Sequence, residues 1–167
     1  MKEEQTKKRV FVIFILFFLT VIIIVIVAFS VKRRKTRHEL FASILFALMM
    51  NFVTDLYLDI KYHLYWYFDK KEVDWAYLIV AMGQVGVLYI IVNYFPNNAA
   101  TIRKLIYALV WTGILVLLEL YTVKIEVLHY GKWNPWYSAA VYFVSLQFLY
   151  FVLKYIQDSR EVSEKTK

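Results

Sequence analysis

Cysteine is absent from this chain of 167 residues, and glycine and proline together supply only six. Without cysteine there is no disulfide framework, thiolate nucleophile, CxxC metal or redox motif, lipobox or palmitoylation site. So little glycine and proline excludes collagen-like, linker-like and disordered chains. Charge is also sparse over long stretches, because it is gathered into short segments between apolar runs. What is abundant is apolar surface. Hydrophobic residues make up 61% of the chain, against about 45–50% in an ordinary soluble domain, which is too much for one water-soluble core. The composition predicts a single transmembrane domain over residues 1–167, an all-α polytopic helix bundle with five transmembrane helices.

The first span is read at Val10 to Val31, which carries no charge. At 1.5 Å per residue it crosses a hydrocarbon core about 30 Å thick. Its many β-branched residues would favour strand in water, but a lone strand in lipid leaves its backbone groups unsatisfied. The preceding Lys-Lys-Arg allows a signal peptide instead, but the apolar run is long for one and lacks a small-x-small cleavage site. The remaining spans are read at 40–60, 75–95, 105–123 and 136–156, followed by a polar tail over 157–167. Pro96 and the following Asn pair close the third, and Gly131 and Pro135 punctuate the turn before the fifth. Trp66, Trp75, Trp133 and Trp136 fall at span ends, where amphipathic rings favour headgroup depth. No internal repeat is visible.

The net charge of +7 is read locally. The segment Lys32 to Glu39 would suit nucleic acid in isolation. Placed after an apolar helix, in a loop too short for a reading module, it is a topology signal that meets anionic headgroups. The expected partners are therefore the lipid bilayer, and other membrane proteins or a second copy of the chain, with no nucleic acid. Nine basic residues fall on the N-terminal side (four in the tail, three in the second loop, two in the fourth). Eleven fall on the other (five, two and four). That bias is slight, and the density of basic residues in the first loop is what predicts an outside N-terminus and a cytoplasmic C-terminus.

Helices two and four run in the same direction, so the ends that carry their ionisable groups emerge on one side. On helix two, Asn51, Asp55, Asp59 and His63 recur every fourth residue, drifting only about 40° per step. On helix four, Glu119, Thr122, Glu126 and His129 fall within an arc of about 80° if the helix continues past the bilayer surface. These residues form the candidate polar pocket. A carboxylate at span centre costs about 2.5–3.5 kcal/mol on insertion scales, so Asp55 and Glu119 are expected to face the bundle interior. Asp59 and Glu126 are expected at headgroup level, with Lys61 snorkelling outward. Gln84, beside Gly83 and Gly86, and Gln147 are read as interhelical hydrogen-bonding groups, the glycines permitting a close helix approach.

The spacing Glu126 to His129 matches the E-x-x-H of di-iron bundles, but it occurs once where those sites use it twice. No metal or other cofactor is expected. Paired carboxylates suit proton transfer, yet no nucleophile, phosphate loop or catalytic signature accompanies them. A purely structural network of carboxylate with Tyr57, Tyr62, Tyr121 or Asn51 competes with both.

The stretch ELYTVKIEVLHYGKWNPWYSAAVYF, from Glu119 to Phe143, resembles the C-terminal signature of a family of small multi-pass membrane proteins, without assigned function, from endospore-forming Firmicutes. Its members carry a Glu late in the penultimate helix, then a Tyr, a W-x-x-W-Y turn and a final apolar helix. The matching positions are Glu119, Tyr130, Trp133, Trp136 and Tyr137. Gly131-Lys132-Trp133 departs from the more frequent adjacent Gly-Trp. The resemblance implies the plasma membrane of a Gram-positive bacterium and supplies no activity. Three functions follow as alternatives: a non-enzymatic scaffold, sensor or complex subunit; a small transporter or channel subunit that uses Asp55 and Glu119; and, last, an intramembrane enzyme.

Overall fold

The computed structural model describes residues 2–68 and 76–165. The elements run α1 (Lys2–Ser30), α2 (Arg37–Asp55), β1 (Tyr65–Tyr67), α3 (Ala76–Asn93), α4 (Thr101–Lys124), β2 (Leu128–Tyr130) and α5 (Pro135–Lys165), with a π-helical turn at Leu56–Lys61 that prolongs α2. The protein is an all-α helix bundle with the five helices expected. Four contain stretches long and apolar enough to cross a membrane: Phe11–Ser30, Arg37–Lys61, Thr101–Lys124 and Pro135–Ser159. The apolar stretch of α3, Tyr77–Asn93, is shorter. Trp75, where the third span was expected to begin, and Lys70 and Lys71 lie outside the described residues. The C-terminal segment, read as a polar tail, continues α5 as far as Lys165.

Helix boundaries follow local chemistry. Thr36 caps α2 through a reciprocal box: its hydroxyl accepts from the Glu39 amide at 3.3 Å, and the Glu39 carboxylate accepts from the Thr36 amide at 2.8 Å. Two of the helix's otherwise orphaned donors are thereby satisfied. At α5, Asn134 Oδ1 accepts from the amides of Trp136 (3.0 Å) and Tyr137 (3.2 Å), and Pro135 occupies the first helical position, where a missing N–H costs nothing.

The bundle is arranged for lipid. Large apolar side chains point outward on every long helix, among them Phe29, Phe41, Leu117 and Phe151, while Glu39, Ser43, Asp59, Asn93, Thr112, Glu119 and Ser138 are buried. Such an inversion is favourable where the surrounding solvent is hydrocarbon and polar groups find partners only within the protein. Helix α3 packs on α1 and α2, α2 also on α5, and α5 on α4. The expected close approach at the glycines is present: a Cβ on Gly86 would lie 2.9 Å from Ile24 Cγ2, and one on Gly83 3.3 Å from Val21 Cγ2. The interhelical hydrogen bonds expected of Gln84 and Gln147 are not formed among the described residues; Gln84 instead lines a partly open cavity.

At one end, β1 and β2 pair antiparallel, Tyr65 opposite Tyr130, Trp66 opposite His129 and Tyr67 opposite Leu128. This ribbon ties the segment after α2 to the segment after α4. At the other end the basic loop between α1 and α2 sits against the end of α3. There Asn93 Nδ2 donates to the Lys32 carbonyl at 2.9 Å, and Oδ1 accepts from the Arg34 amide at 2.6 Å. The main core cluster, including Ile91, Val92 and Leu153, joins α2, α3, α4 and α5, and a second built on Phe17, Val21 and Val127 lies under the ribbon end.

Candidate functional site

Asp55 and Glu119, widely separated in the chain, line one partly open cavity of about 70 Å³ beneath the ribbon. Asn51, Tyr65, Tyr67 and Gln84 share its wall. An adjoining apolar cavity of about 200 Å³ extends along the bundle axis and shares Asn51, Gln84, Glu119 and Tyr142. The two acids thus stand at one end of the bundle and line the same cavity.

Glu119 is the best-connected group. Its Oε1 accepts from the Tyr130 hydroxyl at 2.5 Å and from Ser138 Oγ at 2.6 Å, and its Oε2 accepts from the Tyr142 hydroxyl at 2.6 Å. The direction at Ser138 is fixed by Trp133. The indole N–H can only donate, and it does so to Ser138 Oγ at 2.7 Å, leaving the serine proton for the carboxylate. One carboxylate thus joins α4, β2 and α5, and reaches the Trp133 turn through Ser138. Asp55 accepts from the Tyr65 hydroxyl at 2.5 Å, tying the end of α2 to β1. Tyr67 sits between the acids. Burial above all, then the fields of Asp55, Glu119 and Asp59, push its phenol well above the usual tyrosine range. Tyr130 is also raised, first by burial and then by its hydrogen bond to Glu119. Both phenols remain protonated at neutral pH, and that of Tyr130 donates to Glu119.

Four of the expected positions behave differently. Asp59, read as a headgroup-level charge, is buried and accepts from the Tyr77 hydroxyl of α3 at 3.0 Å. The π-helical turn widens the helix there, which takes Asp59 off the regular four-residue stripe and sets it against α3. His63 lies beyond that turn, exposed, with φ of 49°. Helix α4 ends at Lys124, so Glu126 and His129 leave the arc predicted for a continuing helix. Glu126 turns outward at φ 61°, and His129 stands on β2 with its ring stacked on Trp66, centroids 5.8 Å apart. Among the described residues no group of three or more His, Asp or Glu is placed to hold a metal ion.

The five motif positions divide in two. Glu119, Tyr130 and Trp133 belong to the network; Tyr137 packs edge-on against Trp133 at 5.4 Å, and Trp136 projects outward, 83% exposed. The carboxylates take different tyrosines from those anticipated. Tyr121 pairs with Thr20 at 2.9 Å, and Tyr57 and Tyr62 lie exposed beneath the Lys61 ammonium, 5.2 and 5.1 Å from their ring centroids. Ser138 and Tyr142, missed in the sequence, are four residues apart and share one face of α5. That spacing on an apolar helix was the available signal.

Gly131 closes the site. Its amide and that of Trp133 both donate to the Leu64 carbonyl, at 2.8 and 3.1 Å, and a Cβ there would meet the His63 and Leu64 carbonyl oxygens at 3.1 Å. Backbone atoms cannot swing aside as a side chain can. Gly131→Ala is expected to cost about 1–3 kcal/mol and to alter the near-ultraviolet circular dichroism of Trp66, which a Cβ there would meet at 3.1 Å. An unchanged spectrum with unchanged stability would contradict this account.

No family model, curated protein or solved structure matches this chain.

Proposed function

We propose that this chain is a non-enzymatic integral membrane component, a scaffold, sensor or complex subunit. In this reading its polar network fixes the ribbon end in one shape for recognition by another membrane protein or a second copy. The observation that carries the reading is the engagement of Glu119 by three hydroxyl donors on β2 and α5. A carboxylate used in this way cross-links elements, and a fully satisfied buried network rigidifies the structure around it. The exposed Trp136 beside this fixed turn supplies an aromatic anchor of the kind enriched at interfaces. The resemblance of Glu119 to Phe143 to the Firmicutes family supports a Gram-positive plasma membrane, and the charge bias supports a cytoplasmic C-terminus.

Chemical cross-linking of the full chain in its native membrane, followed by purification in mild detergent, should give a stoichiometric complex or homo-oligomer that Trp136→Ala weakens. A strictly monomeric product with no co-purifying species would overturn the proposal. Because native cysteine is absent, a single cysteine substituted at Lys165 tests the orientation. Protection from an impermeant thiol reagent in intact cells agrees with a cytoplasmic C-terminus, and labelling reverses it.

A second reading, a small transporter or channel subunit for a cation or proton, is favoured by one feature, the cavity that Asp55 and Glu119 share. It requires flux in proteoliposomes that the Asp55→Asn, Glu119→Gln double variant abolishes.

A further inference from the structure

At the end opposite the ribbon, Arg33, Arg34 and Lys35 line a single polar recess of about 850 Å³, walled on the other side by the turn after α3, including Asn97 and Asn98. The loop that carries the three cations is held in place by a buried side-chain amide that bonds its backbone. Asn93, 1% exposed, bonds the Lys32 carbonyl and the Arg34 amide, and Arg34's guanidinium lies 4.5 Å from the centroid of the Tyr94 ring. Among the described residues the only acid in the wall is Glu39, which is engaged by Thr36 at 2.8 and 3.0 Å, by Gln157 at 3.3 Å and by the field of Lys35. Three positive charges therefore face one negative charge that is already engaged. Burial lowers the Lys35 ammonium from its usual value against the opposing pull of Glu39, so positive charge is held here at a cost that an incoming anion would offset. Asn97 adds an amide whose Nδ2 and Oδ1 are enclosed without a partner among the described residues, a donor left over by the protein's own hydrogen bonding.

We propose that this recess is a binding site for a phosphate-bearing anion, with Arg33 and Arg34 as its principal ligands. The planar guanidinium fork matches phosphate oxygens two at a time. The site lies just beyond the ends of α1 and α3, so the phosphate of an anionic lipid headgroup reaches it from the bilayer, and a soluble phosphate compound reaches it from the aqueous phase. The inference is independent of the function proposed for the opposite end. It exceeds the topology signal read from the same residues, because bulk attraction to a charged surface depends on how many cations are present and not on which ones.

The test uses the full chain in detergent and reads the shift in unfolding temperature, each variant against its own baseline. Three probes are titrated: phosphatidylglycerol in mixed micelles, phosphatidylcholine in the same micelles, and inorganic phosphate without lipid. Wild type should shift with phosphatidylglycerol or with inorganic phosphate, and not with phosphatidylcholine. A response to the lipid alone assigns the headgroup, and a response to inorganic phosphate assigns the soluble source. The Arg33→Gln, Arg34→Gln pair should need about tenfold more ligand than the charge-matched Arg103→Gln, Lys154→Gln pair outside the recess. If the recess pair does not fold, Arg33→Gln alone, compared with Arg103→Gln alone, is read in the same way. Equal losses in recess and control variants reduce the effect to bulk surface charge and overturn the site. So does the absence of any shift with both anionic probes, or an equal response to the two lipids.

Discussion

Glu119→Ala is expected to destabilise the full chain by about 3–5 kcal/mol, the scale on which a buried charged network fails when one partner is removed. The loss has a specific source. Tyr130, Ser138 and Tyr142 each donate to this carboxylate, and each would be left with a hydroxyl inside the protein and no acceptor, at about 1–3 kcal/mol apiece before relaxation. Glu119→Gln should cost less, about 1–2 kcal/mol. Its carbonyl oxygen can still accept from Tyr130 and Ser138, and the Tyr142 hydroxyl can turn to accept from the new amide. Denaturant titration in detergent, followed by tryptophan fluorescence, separates the two variants. A double-mutant cycle with Tyr130→Phe should be strongly non-additive, because both changes remove the same bond. Equal effects of Ala and Gln would mean that an amide of the same size and shape does not stand in for the carboxylate, and would overturn the hydrogen-bond account of the milder loss.

The second large effect is expected at the other end. Asn93→Ala should cost about 2–4 kcal/mol, since it strands the Lys32 carbonyl and the Arg34 amide and leaves a void beside Ile91 and Val92. The same change releases the basic loop, so trypsin should cut at Lys32 to Lys35 faster than in wild type by at least the equilibrium opening it permits. Asn97→Leu is the contrasting case. The Asn97 amide has no partner among the described residues, so removing it should be neutral or mildly stabilising. If the two asparagines responded alike, the hydrogen-bond account of the loop would fail.

The sequence carried the coarse architecture because lipid leaves few alternatives. A charge-free run such as Phe11–Ser30 has to be helical, and the alternation of chain direction alone put Asp55 and Glu119 at one end. The fine structure of that end depended on events that the pattern of residues signals weakly. The π-helical turn at Leu56–Lys61 has no marker residue, yet it decides that Asp59 meets Tyr77. Tyr65–Tyr67 and Leu128–Tyr130 are three-residue strands, too short for an alternation signal, and their pairing replaced the helical continuation that would have kept Glu126 and His129 beside Glu119. The tyrosines that serve the carboxylates were hidden for the same reason: Tyr65 and Tyr130 reach Asp55 and Glu119 only because the ribbon folds back over the helix ends. One local signal is fully legible in the sequence, the Thr36-x-x-Glu39 box that starts α2.

The ribbon also dictates a schedule. Its two strands flank α3 and α4, so β1, made early, has nothing to pair with until the whole of α4 has been synthesised and threaded. Contacts between such distant stretches form late, because the intervening loop must be closed before they repay its entropy. During synthesis, Asp55 and Tyr65 therefore wait without the rest of their enclosure. A chain stalled before Leu128 would present those polar groups unfinished at the membrane face.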